Sequence, residues 1–221
     1  IRRPPRSTPS NSSAASDVYK RQDKGSALVI EALKAQGHIV LDACAAPGVK
    51  SSMLILRGSP LVIAIDKSRS RIKEALKLTS MFGVRDNVLL VLADSRKPPL
   101  SQRFIKALLD VPCSGSGTIG DDPSVKIRLS KPNKVKMYHK IQVKLLKSVV
   151  KVAEEVLYAS CSLLPEEGEM VIDECGVNVE EVNVPSTSPC YEGFKCSGKA
   201  KRTMPHLHRC SAFFIALCKA S

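Results

Sequence analysis

Two apolar runs, Leu61-Val62-Ile63-Ala64-Ile65 and Val88-Leu89-Leu90-Val91-Leu92, each meet an aspartate within two residues of their end. Neither run alternates with polar residues, which predicts strands buried on both faces, as in a parallel sheet covered by helices. The segments between them carry helical spacing. Ile72, Ala75, Leu76 and Thr79 fall on one face before Gly83, and Met137, Ile141, Leu145 and Val149 recur every four residues. Further strands are expected at the start of "HIVLDACAAPGVKSSMLIL" and at "FIKALLDVPC", "EEVLYASC", "NVEEVNV" and "CSAFFIALCKA", with a short helix over "SALVIEALKAQG" closed by Gly37 and another over "EEGEMVIDEC". This alternation predicts an α/β chain with a doubly wound, mostly parallel sheet of the Rossmann-like type. In such sheets ligands bind outside the carboxyl ends of the strands. Asp42, Asp66, Asp94, Asp110 and Cys161 each stand at or near one of those ends. Four acids and a thiol on one rim point to a site rather than to solubility.

The first 22 residues have no such periodicity. They hold three prolines and five serines, read as a non-native or disordered leader, and are excluded from the fold argument, which takes residues 23–221 as one catalytic domain. Five of their side chains are basic against Asp17, so they supply +4 of the chain's +13 and leave +9. That excess favours a polyanionic partner, and the phosphate backbone of a nucleic acid is the commonest. Aromatic residues make up 4% and tryptophan is absent, which argues against a stacking platform as the main binding device. Eight cysteines contain no C-x-x-C pair, and no run of about 18 apolar residues occurs, so no metal, disulfide framework or membrane span is expected. The expectation is a cytoplasmic monomer with most of its cysteines in the core.

The segment Gly115-Ser116-Gly117-Thr118-Ile119-Gly120 matches G-x-G-x-x-G, yet it follows the fourth strand and runs into Asp121-Asp122-Pro123. A dinucleotide fingerprint opens a helix after the first strand, so that reading is rejected. The first turn, Cys44-Ala45-Ala46-Pro47-Gly48-Val49-Lys50, lacks a phosphate cradle, but its small residues permit close approach of a ligand. Asp66 is placed to accept from ribose hydroxyls and Asp94 to reach an exocyclic amine of a purine. A ligand with a ribose and an amino acid but no phosphate fits: S-adenosylmethionine.

"LDACAAPGVK", "AIDKS", "LADSR", "LLDVPCSGSGTIGDDP" and "YASCSLLPEEGE" together resemble the motifs of the Sun-type (Nop/Sun/Fmu) RNA cytosine-5 methyltransferases, and "MPHLHRCSAFFIALCK" is similar to that family's final hairpin region. The resemblance runs from about residue 23 to the C terminus. It implies methyl transfer from S-adenosylmethionine to carbon 5 of cytidine in RNA, with transfer RNA the first expectation and ribosomal RNA the second. Carbon 5 is too weak a nucleophile unaided; a thiolate adding to carbon 6 turns the ring into an enamine that can take the methyl group. The family's nucleophile maps to Cys161, and the cysteine that assists product release maps to Cys113. Asp110 matches the acid that contacts the base, and Lys50 a lysine beside it. The implied cofactor site comprises Cys44, Ala45, Ala46, Pro47, Gly48, Val49, Lys50, Asp66, Asp94 and Asp110.

Three departures from the family pattern stand out: Ser160 for the threonine before the nucleophile, Gly168 for an asparagine, and no glycine turn ahead of the fifth strand. Gly168 is expected to loosen the start of the following helix. The family's N-terminal RNA-binding portion has no counterpart before Asp23. The cluster Lys126 to Lys140 is a candidate for tracking the RNA backbone, and a solvated helix face is the alternative. Two other functions stay open: a DNA cytosine-5 methyltransferase, which uses the Pro-Cys cysteine as nucleophile, and a non-catalytic RNA-binding module that keeps the fold.

Overall fold

In the computed structural model of the protein, residues 24–130 and 133–220 are described; the expected leader lies outside them. Among these residues a nine-stranded sheet runs in the order β3-β2-β1-β4-β5-β9-β8-β7, with β6 also paired to β9. Its first five strands are β1 (Val40–Asp42), β2 (Val62–Asp66), β3 (Val88–Leu92), β4 (Phe104–Asp110) and β5 (Ala153–Ser160). All four ladders among them are parallel, and the order reverses at β1, so a crevice opens between β1 and β4 at their carboxyl ends. The doubly wound reading holds.

The helices follow the periodicities that predict them. They are α1 (Lys24–Leu33), α2 (Val49–Leu56), α3 (Arg69–Met81), α4 (Ser124–Leu129), α5 (Lys134–Val149), α6 (Glu169–Cys175) and α7 (Pro205–His208). The chain ends on β6 (Asn178–Glu180), β7 (Ser188–Pro189), β8 (Lys201–Thr203) and β9 (Phe213–Lys219). β9 lies antiparallel to β5 and carries β8 and β6 in succession along its other side.

Three expectations need correction. β3 is not a central strand. It pairs only with β2 among the described residues, and Leu89 and Leu92 are 54% and 52% exposed. An apolar run cannot tell a central strand from an edge one, because strand order is not a local property. α1 ends at Leu33, where Lys34 takes a positive φ of 49°, ahead of Gly37. The predicted helix over residues 166–175 is two pieces, a 3-10 turn at Pro165–Glu167 and α6, joined at Gly168.

Gly168 does not loosen this junction. A Cβ there would stand 2.9 Å from Arg202 and 2.9 Å from the Phe214 ring. Arg202 is fully buried, paired with the equally buried Glu169 at 2.5 Å, and donates to the Ser162 carbonyl at 2.8 Å. Its guanidinium stacks on Tyr191 and Phe214. The missing side chain makes room for that ion pair, whose remaining donors must be satisfied once it leaves water.

Candidate active site

The rim that the aspartates mark holds a cavity of about 410 Å³, within the range of small-molecule sites. Cys44 and Ala46 from the first turn, Asp66 after β2, Asp94 after β3 and Asp110 after β4 all line it. Asp66 is nearly fully buried; one carboxylate oxygen accepts from the Ser68 amide at 2.8 Å and the other stands 3.3 Å from Arg71. Arg71 also donates to the Ala46 carbonyl, so one guanidinium joins the turn to the acid that ends β2. Asp94 is engaged by Arg96 at 2.5 to 3.0 Å. Those hydrogen bonds hold its carboxyl down at about 2.

The remaining turn residues behave differently. Ala45 is buried in the core cluster beside α1, Val49 packs against that cluster, Pro47 is exposed, and Gly48 is the cap of α2 with φ 100°. None of them lines the cavity, and neither does Lys50. The far wall comes from α5. Met137, Tyr138, Ile141 and Leu145 face the cavity, together with Pro112 and Val111. Periodicity alone assigns Met137, Ile141 and Leu145 to a core face, but the upper part of that stripe looks into the site. Met137 is 47% exposed, a signal visible only in three dimensions.

Asp42 does not reach the cavity. It is buried beneath it and accepts from Ser51 at 2.6 Å, while its other oxygen has no partner. Burial pushes its carboxyl up to about 7, against the hydrogen bond from Ser51.

Beside the cavity four reactive side chains meet. Lys50 donates to Asp110 at 2.7 Å and lies 5.2 Å from the centre of the Phe213 ring. Burial alone would lower its pKa, but the charge and hydrogen bond of Asp110, with a contribution from Cys161, raise it instead. Lys50 therefore stays an ammonium. Cys113, three residues past β4, and Cys161, one residue past β5, are free thiols whose sulfurs stand 2.7 Å apart. The hydrogen bond to Cys161 raises the Cys113 thiol well above its ordinary value, helped by burial and by the charges of Cys161 and Glu167.

The loops that carry these thiols are fastened to one another. Gly117 donates to the Cys161 carbonyl at 3.1 Å and accepts from the Ala212 amide at 2.9 Å. A Cβ at Gly117 would fall 2.3 Å from the Ala212 carbonyl oxygen. Gly117 thus serves close backbone approach to the segment entering β9. Glu167, which sequence reasoning does not single out, sits beneath both loops with no exposed surface.

Residues 29–219 match the family model of the 16S rRNA methyltransferase RsmB/F. The chain belongs to this family. It is 29% identical over 91% of its length to the 28S rRNA (cytosine-C(5))-methyltransferase of Mus musculus, of which the match covers 28%. The Probable ribosomal RNA small subunit methyltransferase B of Coxiella burnetii is 35% identical over 61% of the chain and 33% of that protein. The chain therefore spans about a third or less of the length of these relatives. Among solved structures, NSun6 from Pyrococcus horikoshii with SFG, an S-adenosylmethionine analogue, superposes with a TM-score of 0.77 at 28% identity, covering 90% of this chain and 52% of that one. A Methyltransferase Homolog Protein from the same organism gives 0.75 at 32%, covering 90% and 67%. Membership of this RNA methyltransferase family agrees with the fold that the rim of acids implies.

No helix among the described residues is long and apolar enough to cross a membrane. Among the same residues, no cluster of His, Cys, Asp and Glu is placed to hold a metal ion. Cys190, Cys196 and Cys218 are buried, and Cys175 is partly so.

Proposed function

We propose that this chain is the catalytic domain of an RNA (cytosine-5)-methyltransferase, with S-adenosylmethionine in the 410 Å³ cavity and a cytidine presented to Cys161 and Cys113. The observation that carries the reading is the pair of sulfurs 2.7 Å apart beside the Lys50–Asp110 ion pair. A single thiol would suffice for a core or for a DNA-type mechanism; two at one point fit a division of labour. The similarity to ribosomal RNA methyltransferases supports ribosomal RNA ahead of transfer RNA as the substrate class.

The residues of the cavity suit the cofactor. Asp66 offers a buried carboxylate toward a ribose, Asp94 is a second acid at the rim, and the Met137, Ile141 and Pro112 side chains form an apolar wall for a purine. When bound, the cofactor supplies an electrophilic methyl group on a sulfonium sulfur. Every other task falls to the chain. The Lys50 ammonium favours a thiolate at Cys161, which adds to carbon 6. Asp110, with Lys50 behind it, meets the ring-nitrogen side of the base, where hydrogen bonding offsets the charge that addition creates. Two causes that keep Cys113 protonated, its hydrogen bond to Cys161 and the charge of Cys161, disappear once Cys161 is bonded to carbon. Freed of both, Cys113 gives its proton to solvent and, as the thiolate, takes the proton from carbon 5 while Cys161 leaves carbon 6.

The two thiols are separable by experiment. Cys161→Ala abolishes methyl transfer to ribosomal RNA and forms no covalent adduct. Cys113→Ala still adds and transfers, then stalls as a protein–RNA complex that shifts on a denaturing gel. An adduct accumulating in the Cys161 variant would reverse the roles, and intact activity in both would remove the thiols from the mechanism.

A further inference from the structure

The parallel ladder between β4 and β5 ends at Asp110 and Ala159, before either thiol is reached. Past that point only two backbone hydrogen bonds join the segments, Val111 to the Ala159 carbonyl at 2.9 Å and Gly117 to the Cys161 carbonyl at 3.1 Å. The residues that follow the two cysteines, Ser114 and Ser162, converge on a single carboxylate. Glu167 accepts from the Ser114 amide at 2.8 Å and hydroxyl at 2.5 Å, from the Ser162 hydroxyl at 2.6 Å, and from Gln142 at 3.4 Å. Gln142 also donates to the carbonyl of Pro112, the residue before Cys113, at 3.0 Å.

We propose that Glu167 is a positioning residue for this site, its buried carboxylate holding the Cys113 and Cys161 loops in the mutual register that brings both thiols to one base. The inference rests on the reading of the two cysteines given above. All four contacts are donated to Glu167, so it acts purely as an acceptor, and Ser116 can donate to Ser162 and leave the Ser162 proton for Glu167. Ser162 gives its proton to Glu167 and accepts from the Leu164 amide at 3.1 Å, while Ser116 lies 2.9 Å from Ser162 and accepts from the Leu163 amide at 2.9 Å. A buried carboxylate with no basic partner among its contacts is costly to keep for stability alone, and an apolar side chain would fill the space more cheaply. Its value lies in direction. Each loop is pinned one residue from its sulfur, and Tyr158, in β5, donates to the Glu167 carbonyl at 2.9 Å to fix the clamp against the sheet. The charge of Glu167 is also among the causes that keep Cys113 protonated.

The effective concentration of one thiol at the other measures this register without RNA. In glutathione buffers the pair passes two electrons and two protons to one oxidised glutathione, giving a Cys113–Cys161 disulfide and two reduced glutathiones through a mixed disulfide. Acid quenching, alkylation and peptide mass mapping yield the equilibrium constant. Glu167→Gln keeps the shape but turns a donor toward two hydroxyls. It is expected to lower that constant tenfold or more, and to slow adduct formation with ribosomal RNA by a similar factor. Affinity for S-adenosylhomocysteine, whose cavity Glu167 does not line, stays at the wild-type value. Ser114→Ala and Ser162→Ala each give a smaller fall, and they decide the matter if the Glu167 variant does not fold. A folded variant with the wild-type constant overturns the proposal, as does a lowered constant with an unchanged rate of adduct formation. The glutathione equilibrium is independent of the Cys113→Ala trap, so failure of the clamp and failure of the two-thiol reading are told apart.

Discussion

Asp42 shows how one residue can mark a rim without belonging to the site. It ends β1 as Asp66 and Asp110 end their strands, yet it is buried and its side-chain partner is Ser51. Its folded pKa of about 7 lies above the ordinary 3.8, so between those values the folded state holds a proton that the unfolded state has lost. Stability from this group is complete below the unfolded value and is lost as pH rises through the folded one. The shift corresponds to at most about 4 kcal/mol at 1.36 kcal/mol per unit. Asp42→Asn keeps an acceptor for Ser51 and removes the titration. Its stability relative to wild type, followed by urea unfolding, is expected to increase between pH 4 and pH 8; a difference that does not change with pH would show that Asp42 stays ionised when folded. Lys50 is the opposite case, since its partner Asp110 outweighs the cost of burial and keeps it charged.

At the scale of elements, the decisive pieces are the connections after β4 and β5. Helix α5 supplies the cavity wall and the strands supply the acids, but the thiols sit on loops past the end of the β4–β5 ladder, held together by two backbone hydrogen bonds and by side chains. Gly117 is the tightest of these points. Because a methyl group there would meet backbone rather than a mobile side-chain tip, the loop or β9 must give way. Gly117→Ala is expected to cost about 1–3 kcal/mol, as overpacking does. For a chain of this size that is a fall in Tm of roughly 2–12 °C. The same change moves the Cys161 carbonyl and lowers methyl transfer. An unaltered Tm, read by differential scanning calorimetry, would mean that the backbone can open there without strain. Gly168 belongs to the same class: local propensity reads it as a weak helix start, whereas packing against Arg202 requires the missing side chain.

At the scale of the molecule, the formal charge of +13 has a direction. Lys136, Lys140, Lys144 and Lys147 are exposed at i, i+4 and i+3 spacing along α5, the helix whose other side lines the cavity. Binding of single-stranded ribosomal RNA fragments is expected to weaken linearly in log salt. Reversing two of these charges, Lys136→Glu with Lys140→Glu, lowers the slope by roughly 0.7 per lost phosphate contact and leaves cofactor affinity intact. A slope equal to that of wild type, measured by fluorescence anisotropy, places the RNA elsewhere. What the sequence by itself determined was the local inventory: strands and helices in alternation, an acid or a thiol at or near the end of each of the first five strands, and motifs specific enough to name the family. Those features are legible because hydrophobic period, turn chemistry and motif spacing are properties of neighbouring residues. Only the tertiary structure decided what the inventory faces. Lys50 meets Asp110 across 60 residues, Cys113 meets Cys161 across 48, and Glu167 joins Ser114 across 53. It also left β3 at an edge and turned the upper face of α5 into a cavity wall. Strand order and loop closure set these relations, and both arise from how the whole chain buries its surface, which no window of sequence contains.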